Sequence, residues 1–528
     1  MLRFSFIFIS LLFLHFSSAA SVERRARNRR PYYIDNNPDN DLTNSHNTRY
    51  TINLTIAGTS VNAFLDTGST DLWVSPPGGS SVGAFKSTGA AVKLAFGDGS
   101  AFVNGTIGLA NVEIAGHTVP AQAFLNVTQN VGFTGEFGLV GLSFDSLGSI
   151  PRALTAAGVP DVPLVGKSLL SSIFDQNPDK ERFFALSLSR LHDRRDSADA
   201  SLDIATLDEK YAAVQNEPAL PLFPDNSDQW SVLTEAIHVN GLSIPLPSSI
   251  KGTPPGNSLI LLDSGTTNML VPAEIRDAIY SAVPGAVLAK NSSIQNTQFS
   301  EDKDVWVVPC DTAINMSTTF AGKRFRIHPL DMTDFTVVLG PDGKNYTICV
   351  GTITNGGVIL GSDIDMIYGD SFLRNVYTVF SFGNDTVAPH VQLLSQTDKG
   401  AAKDFAHVRA KRLSTSPPEL APTDIIALFD GPSSQAVGAA GKVSSAAVMD
   451  AETGSTSSPD SQIAKYAPIV IGLLGANLLL LVVVALIGIV GYVRNGRQAG
   501  PVRQYAPVKV REKDVYEQKV GRYSDGPH

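Results

Sequence analysis

Short apolar runs separated by turn residues dominate the chain from about residue 48 to residue 394. Val, Ile, Thr and Phe make up these runs, and Gly, Asn, Asp and Pro interrupt them at close intervals, as in β-strands joined by tight turns. The clearest candidate strands are residues 50–56, 91–96, 112–114 and 377–382. Convincing amphipathic helices are few, and residues 273–283 are one candidate. The pattern predicts a mainly β body.

Two longer, mostly apolar segments lie outside this body. Residues 1–20 contain Arg3, then a mostly apolar run and four small residues, which is the order of a secretory signal peptide. The 25 residues 469–493 have no charge. As a helix they would extend about 37 Å, enough for a hydrocarbon core of about 30 Å. A polar tail of 35 residues that opens with Arg494 follows them, which argues against a GPI signal. We therefore expect a single-pass type I protein with its N-terminal body outside the cytosol.

Composition and charge exclude several classes of protein. The 528 residues are 43% hydrophobic and 17% charged, so the chain is not wholly disordered. The formal net charge is −9, and residues 31–493 carry −18 once the basic flanks 21–30 and 494–528 and Arg3 are set aside. A general nucleic-acid binder would be basic, so we expect no nucleic-acid partner. Two cysteines are too few for a disulfide-dense scaffold or a four-cysteine zinc site. The nine His form no metal-spaced cluster, and we expect no metal or cofactor.

One internal repeat carries the candidate chemistry. Residues 66–70 read Asp-Thr-Gly-Ser-Thr, and residues 263–267, 197 positions later, read Asp-Ser-Gly-Thr-Thr. Each copy follows an apolar run. The Gly allows a tight turn that brings a backbone amide to the carboxylate, and the hydroxyl residues can donate hydrogen bonds to it. A single copy would be a weak signal, but two copies about one lobe apart strongly indicate a pair of carboxylates.

Over about residues 48–394 the chain resembles the pepsin-like aspartic proteases. Besides the repeat, residues 71–74 and 371–380 are similar to family signatures, and the apolar segments 138–141 and 358–361 are similar to those that support each Asp loop. The resemblance implies a mainly β, bilobal pepsin-like fold, and the uncharged run 469–493 predicts a C-terminal single transmembrane helix after it. It also implies an aspartic-type endopeptidase. The membrane-anchored layout resembles that of the yapsin-like proteases, although those often use a GPI anchor.

Two connecting segments complete the predicted layout. Residues 21–47 carry two dibasic pairs, which are either a solvated basic stretch or processing sites, and their place after a signal peptide favours processing. Residues 396–465 are rich in Ser, Ala, Thr, Pro and Gly and predict a flexible stalk, with short ordered pieces such as 425–429. The predicted order is signal peptide (1–20), N-terminal extension (21–47), N-terminal lobe (48–215), C-terminal lobe (216–395), stalk (396–465), transmembrane helix (466–493) and cytoplasmic tail (494–528).

The resemblance also assigns roles within the repeat. Asp66 and Asp263 are implied to share one proton, because two facing carboxylates cannot both ionise cheaply, and pepsin is the standard example of such a pair. The pair activates a water molecule for attack on a peptide carbonyl. By resemblance, the supporting residues are Ser69 and Thr266 at the outer carboxylate oxygens, Thr67 and Ser264 between the two loops, and Gly68 and Gly265 in the turns.

One departure from the family concerns the flap, the hairpin that covers the cleft. The family usually has a Tyr whose hydroxyl bonds a Trp indole N–H, but Phe96 stands at that position, so Trp73 loses this partner. We expect weaker flap ordering, which leaves a second interpretation open, a catalytically weak or inactive binding or inhibitor module. Beside Gly97, Asp98 either favours a basic side chain before the scissile bond or is an ordinary turn aspartate.

Cysteines and sequons agree with an exported body. Cys310 and Cys349 stand where the family has its C-terminal-lobe disulfide, and the oxidising secretory route favours pairing over free thiols. We expect a monomer that acts on peptide or protein substrates, either at the cell surface or in an acidic compartment. Seven Asn-X-Ser/Thr patterns predict N-glycosylation, at Asn53, Asn104, Asn126, Asn291, Asn315, Asn345 and Asn384.

Overall fold

Strands account for most of the structure, a computed structural model that describes residues 40–76, 82–133, 137–191, 200–292, 294, 303–340 and 342–430. The strands are β1 Thr43–Ser45, β2 Arg49–Ile56, β3 Thr59–Asp66, β4 Leu72–Val74, β5 Lys86–Phe96, β6 Ala101–Ile114, β7 His117–Val131, β8 Gly138–Gly141, β9 Phe183–Ser187, β10 Ser201–Ile204, β11 Leu220–Pro221, β12 Ser231–Thr234, β13 Ala236–Val239, β14 Leu242–Ile244, β15 Ser258–Leu262, β16 Met269–Val271, β17 Val287–Ala289, β18 Val305–Val307, β19 Met316–Phe320, β20 Lys323–Ile327, β21 Thr333–Leu339, β22 Asn345–Gly351, β23 Thr354–Asn355, β24 Met366–Tyr368, β25 Val376–Ser381 and β26 His390–Ser395. The α-helices are α1 Ser149–Ala156, α2 Val162–Val165, α3 Leu169–Asp175, α4 Ala273–Ser281, α5 Asp370–Leu373, α6 Ala401–Leu413 and α7 Pro422–Asp430. Short 3-10 helices span Asp145–Leu147, Glu209–Asn216, Pro329–Asp331 and Gly357–Leu360.

The strands form five sheets within the described residues. The first half of the chain makes an eight-stranded sheet in the order β1-β2-β3-β8-β4-β7-β6-β5. The second half makes three smaller sheets, β12-β15-β24-β16-β23, β14-β13-β19-β20 and β17-β18-β22-β21. Strands from both halves share a fifth sheet, β10-β9-β25-β26-β11. The predicted mainly β fold is confirmed: β2, β5 and β6 contain the segments predicted from the pattern, and β25 and α4 overlap theirs but end one and two residues earlier.

Two parallel strand pairs position the repeated motifs. β3 runs parallel to β8, with Asp66 opposite Gly141, and β15 runs parallel to β24, which ends just before Gly369. A side chain at Gly141 would collide with the backbone of Thr70, and one at Gly369 with the backbone of Thr266. Glycine is therefore required at both positions because the motif loop lies directly against them.

The predicted support for the second Asp loop was placed wrongly. Residues 358–361 have the expected apolar pattern, but Gly357–Leu360 is a 3-10 helix and Val358 is 73% exposed. The strand parallel to β15 is Met366–Tyr368, which is completely buried. Both segments are apolar and precede a glycine, so the pattern alone did not separate them.

An aromatic cluster around Trp230 packs against the fifth sheet, which strands from both halves of the chain share. The indole of Trp230 packs against Phe144, Phe184, Phe380 and Phe382, with ring centroids 4.5 to 5.8 Å apart. The indole Nε1 donates to the Leu142 carbonyl at 3.0 Å, so its one polar atom is satisfied. This contact joins the chain just after β8 to the strand pair β9 and β25.

The predicted stalk begins later than residue 396. α7 packs on the sheet β17-β18-β22-β21, and α6 contacts β21 of this sheet through Arg409. Phe405 of α6 and Ile425 of α7 are completely buried. The segment between them is tied to β22, since Thr347 Oγ1 donates to the Pro417 carbonyl at 2.7 Å. Residues 401–430 are therefore part of the folded body. The predicted ordered piece 425–429 lies in α7. Composition missed the rest because a few buried apolar residues are enough to anchor an otherwise polar segment.

Several predicted segments lie outside the described residues. They are the signal peptide, the extension up to residue 39, and everything from residue 431, including the predicted transmembrane helix and tail. Within the part of the chain that the structure describes, no helix is long and apolar enough to cross a membrane.

Candidate active site

The two repeated motifs meet in one cleft. Asp66 is the last residue of β3 and Asp263 follows β15 directly, so each carboxylate emerges at the end of a buried strand. The two residues are 5% and 8% exposed. Asp66 and Asp263 lie within hydrogen-bonding reach of each other. The sequence prediction that these two residues form a pair agrees with this placement.

Each carboxylate is held by its own loop in the same way. The Gly68 amide donates to Asp66 Oδ1 at 2.9 Å, and the Ser69 hydroxyl donates to Asp66 Oδ2. In the second copy the corresponding donors are Gly265 N to Asp263 Oδ1 at 2.8 Å and Thr266 Oγ1 to Asp263 Oδ2 at 2.6 Å. These are the bonds that the sequence predicted for both glycines and both hydroxyl residues.

A symmetric set of hydrogen bonds locks the two loops together. Thr67 Oγ1 donates to the Leu262 carbonyl at 2.8 Å and accepts from Ser264 N at 2.9 Å. Ser264 Oγ donates to the Leu65 carbonyl at 3.0 Å and accepts from Thr67 N at 3.1 Å. Because both hydroxyls are buried, these bonds are shielded from water and fix the separation of the carboxylates.

The glycines of the motifs also control how closely the loops approach. A Cβ built on Gly68 would lie 2.8 Å from Asp263 Oδ1, and one on Gly265 would collide with Asp66 Oδ1. Each glycine therefore faces the carboxylate of the opposite motif. An alanine at either position would push the carboxylates apart.

The electrostatics of the site favour one shared proton. Burial raises the pKa of Asp66 to about 8, and the Asp263 charge adds to this increase, while the bonds from Ser69 and Gly68 oppose it. A third buried carboxyl, Asp370 at the start of α5, lies close enough to the pair for the charges of Asp263 and Asp66 to add to the increase in its own pKa that burial causes. Asp370 was not predicted as a site residue, although it directly precedes the signature at 371–380.

The cleft that contains the pair has a volume of about 450 Å³ and two apolar walls. Phe64, Phe96 and Phe133 provide an aromatic wall on the side of the first motif. The other wall is aliphatic and consists of Leu261, Leu270, Ile359, Ile364 and Ile367. Such a cleft can hold an extended peptide with apolar side chains on either side of the carboxylates. No group of His, Cys, Asp and Glu suited to a metal ion occurs among the described residues.

Comparison with known proteins assigns the family. The model of the eukaryotic aspartyl protease family matches residues 49–389. The chain belongs to this family. The predicted enzyme class, an aspartic-type endopeptidase, is thereby confirmed at the level of the family.

Relatives of the protease come from several fungi. This chain is 27% identical over 356 residues to major aspartyl peptidase 1 of Cryptococcus neoformans var. grubii. The aligned region covers 62% of this chain and 65% of that protein. This chain is also 25% identical over 363 residues to aspergillopepsin-1 of Aspergillus clavatus. The aligned region covers 66% of this chain and 78% of that protein. The crystal structure of an aspartic proteinase from Irpex lacteus superposes with a TM-score of 0.51 at 17% identity, over 69% of this chain and 98% of that one. The likeness to the solved structure supports the pepsin-like fold.

The flap of the protease is ordered by aromatic contacts. Trp73 is completely buried, and its indole Nε1 has no hydrogen-bond partner among the described residues, as the Phe at position 96 predicted. Phe133 packs edge-on against both rings, 5.2 Å from Trp73 and 5.1 Å from Phe96 between centroids. Phe133 therefore connects the flap to Trp73 in the absence of a tyrosine hydroxyl. No sequence motif pointed to this residue.

The flap tip agrees with the ordinary interpretation of Asp98. Its carboxylate accepts the Ser100 amide at 2.9 Å across the turn, and its side chain is exposed. Phe96 and Gly97 line the cleft, whereas Asp98 is not among the lining residues.

The predicted disulfide between Cys310 and Cys349 is confirmed. It joins the loop after β18 to β22, far along the chain from both motifs. The Cys310 amide also donates to Glu419 Oε1 at 2.8 Å, which ties the segment between α6 and α7 to the disulfide.

Proposed function

We propose that the chain hydrolyses peptide bonds with a water molecule activated between Asp66 and Asp263. The observation that carries the proposal is the symmetric pair of buried carboxylates on loops locked together by Thr67 and Ser264. Because the pKa of Asp66 is raised to about 8, the pair keeps one proton across the acid range. Membership of the aspartyl protease family supports the same chemistry.

Each proton in the proposed reaction has a donor and an acceptor. The ionised carboxylate takes a proton from water as the water oxygen attacks the scissile carbonyl carbon, and the protonated carboxyl gives its proton to the carbonyl oxygen. In the second step one carboxyl protonates the leaving nitrogen, the C–N bond breaks, and the other carboxylate takes a proton from the tetrahedral diol. The pair ends with one proton and is ready for another cycle.

The test is cleavage of a quenched fluorescent peptide by the detergent-solubilised full chain, from strongly acidic to neutral buffer. We expect pepstatin-sensitive cleavage that is abolished in Asp66→Asn and in Asp263→Asn. Asp225→Asn, which changes an exposed turn carboxylate, is the matched control and should retain activity.

The second candidate function is a catalytically weak or inactive pepsin-fold binding or inhibitor module. The observation that favours it is the Trp73 indole N–H, which lacks the hydrogen bond that a flap tyrosine would provide. A peptide that binds in the cleft but is not cleaved at any pH would support this module and contradict the endopeptidase.

We further propose that residues 466–493 anchor the protease in a membrane, with the body in the lumen or outside the cell. The support is the uncharged run 469–493 followed by basic residues. Alkaline carbonate extraction should leave the full chain in the membrane fraction. Release of the full chain into the soluble fraction would contradict the anchor.

N-glycosylation gives an independent test of the orientation. Five of the seven sequon asparagines are exposed, and Asn104 and Asn126 are partly buried. We therefore expect glycans preferentially at Asn53, Asn291, Asn315, Asn345 and Asn384. Removal of N-glycans should increase the electrophoretic mobility of the wild type, and an unchanged mobility would contradict an exported body.

A further inference from the structure

The ionisable side chains that line the cleft comprise three carboxylates and two cations. The lining residues of this kind are Arg49, Asp66, Asp71, Lys93 and Asp263. Two of the carboxylates form the pair with one proton described above. Asp71 accepts the first two amides of α1, at 2.8 and 3.0 Å, so its charge is already compensated.

Lys93 is the cation on the flap. It lies on β5 three residues before Phe96, its side chain is exposed, and it lines the cleft. Its ammonium group lies 3.9 Å from the centroid of the Phe102 ring on the neighbouring strand. This contact holds the ammonium in place without neutralising it, because an aromatic ring carries no net charge.

Arg49 is the cation beside the second motif. It opens β2, and the carbonyl of the preceding Thr48 accepts the Thr267 hydroxyl at 2.8 Å. Arg49 and Thr267 both line the cleft. The two cations therefore lie on different elements, Lys93 on the flap and Arg49 near the second motif loop.

We propose that Lys93 and Arg49 make the cleft select substrates that carry acidic side chains beside an apolar scissile segment. The inference rests on the proposed function and specifies its substrate class. The aromatic and aliphatic walls bind the apolar residues, and Lys93 and Arg49 bind the flanking carboxylates. Residues 31–493 carry −18, so these cations are a local exception whose attraction extends only about 10 Å at ordinary salt.

The test is a set of peptides with one uncharged apolar core and Glu, Gln, Lys or cysteic acid at each flanking position in turn. At low salt we expect kcat/KM to be about two- to fivefold higher for Glu than for Gln at one or more positions, and lower for Lys. Added salt should reduce the difference. Below about pH 4 the Glu preference should disappear while the cysteic acid preference remains, because only Glu becomes protonated.

Charge variants assign the preference to residues. Lys93→Glu should reverse the preference at its position in favour of Lys, and Arg49→Gln should remove it at a different position. Lys86→Glu is the control, since Lys86 is exposed on the same strand and is not among the lining residues. Thermal melts check that all variants are folded.

The outcomes separate this inference from the proposed function. If the wild type cleaves the uncharged core but treats Glu, Gln and Lys peptides alike, the inference is wrong and the endopeptidase stands. The same holds if the preference is unchanged in both Lys93→Glu and Arg49→Gln. If the uncharged core is not cleaved at all, the proposed function fails and the inference with it.

Discussion

At the scale of single residues, the Ser69 hydroxyl and the Gly68 amide both donate to Asp66 and favour its ionised form. Removing the hydroxyl in Ser69→Ala should therefore raise the pKa of Asp66 further above about 8. We expect the alkaline limb of the kcat/KM profile to move to higher pH by about one unit, whatever the loss of rate. Ser146→Ala, at an exposed position, should leave the limb in place. A limb that moves to lower pH in Ser69→Ala would contradict this account.

Asp370 is a further carboxyl near the pair whose pKa is shifted from its usual value. Its side chain is completely buried, and neither carboxylate oxygen has a hydrogen-bond partner among the described residues. Burial raises its pKa well above the usual range, Arg374 opposes this increase, and the charges of Asp263 and Asp66 add to it. The folded protein therefore keeps the Asp370 proton at pH values where the unfolded chain, with a pKa of about 3.9, has lost it.

This difference in proton binding predicts a pH-dependent effect of Asp370→Asn. Because the folded state binds more protons than the unfolded state above about pH 4, the wild type loses stability from this group as pH rises. Asparagine mimics the neutral acid, so the variant should match the wild type near pH 3 and exceed it near neutrality in urea unfolding. A destabilisation of equal size at every pH would show that the carboxyl has a packing role only.

At the scale of elements, the flap depends on one ring outside its own hairpin. Phe133 contacts Trp73 and Phe96 and gives the flap its connection to the buried indole. We expect Phe133→Ala to lower kcat/KM about tenfold, mainly through KM, because aromatic pairs contribute about 0.5–1.5 kcal/mol each. Phe85→Ala is the control, since Phe85 makes a similar edge-on contact with Phe124 at 5.3 Å outside the cleft.

Two outcomes of the flap experiment have opposite meanings. If Phe85→Ala and Phe133→Ala lower stability equally but only Phe133→Ala raises KM, the ring at position 133 positions the flap. If both leave KM unchanged, the aromatic contacts do not order the flap. Unchanged turnover in Phe96→Tyr would separately show that the missing hydroxyl is not limiting.

The helices α6 and α7 extend the body beyond the family match, which ends at residue 389. Arg409 is buried between Phe335 and Phe405, 5.1 and 5.2 Å from their centroids, and donates to the Thr333 carbonyl at 2.9 Å. Truncation after residue 395 should lower the melting temperature strongly, since each large buried side chain lost contributes about 1.5–3 kcal/mol. Truncation after residue 430 should be tolerated.

The control for the truncations is a point variant in the full chain. Phe405→Ala should lower the melting temperature in the same direction by a smaller amount, without altering KM. Equal melting temperatures for the chains ending at 395 and 430 would mean that α6 and α7 do not stabilise the body.

The sequence predicted the paired carboxylates because the chemistry is repeated and local: the donors to each Asp lie two and three residues after it. It misplaced the support at 358–361, since a strand and an exposed 3-10 helix can share one apolar pattern. It also missed α6 and Phe133, and of α7 it predicted only the ordered piece 425–429. Their contribution comes from contacts with residues distant in sequence, and no local spacing encodes those contacts.

At the scale of the whole molecule, one buried cluster joins distant parts of the chain beside the shared sheet. Asp331 accepts Arg190 Nε at 3.0 Å, Arg374 Nε at 2.9 Å and Asn375 Nδ2 at 2.9 Å. Arg374 also donates to the Asn47 carbonyl at 2.8 Å, which brings in the N-terminal strands. Burial alone would raise the pKa of Asp331, but the two guanidinium groups outweigh it and hold the pKa well below its usual range.

The depressed pKa predicts that this cluster stays intact in the acid in which the proposed reaction runs. Its contribution is complete above the unfolded-state pKa of about 3.9 and declines progressively as pH falls from there to the lower folded-state pKa. Asp331→Asn leaves two buried guanidinium groups uncompensated, so unfolding at pH 5 should become easier by about 3–5 kcal/mol, and by less near pH 2. Asp175→Asn, which breaks the exposed pair with Lys167, should cost less than about 1 kcal/mol at either pH. If denaturant melts show equal losses for Asp331→Asn at pH 5 and pH 2, the cluster does not supply acid stability.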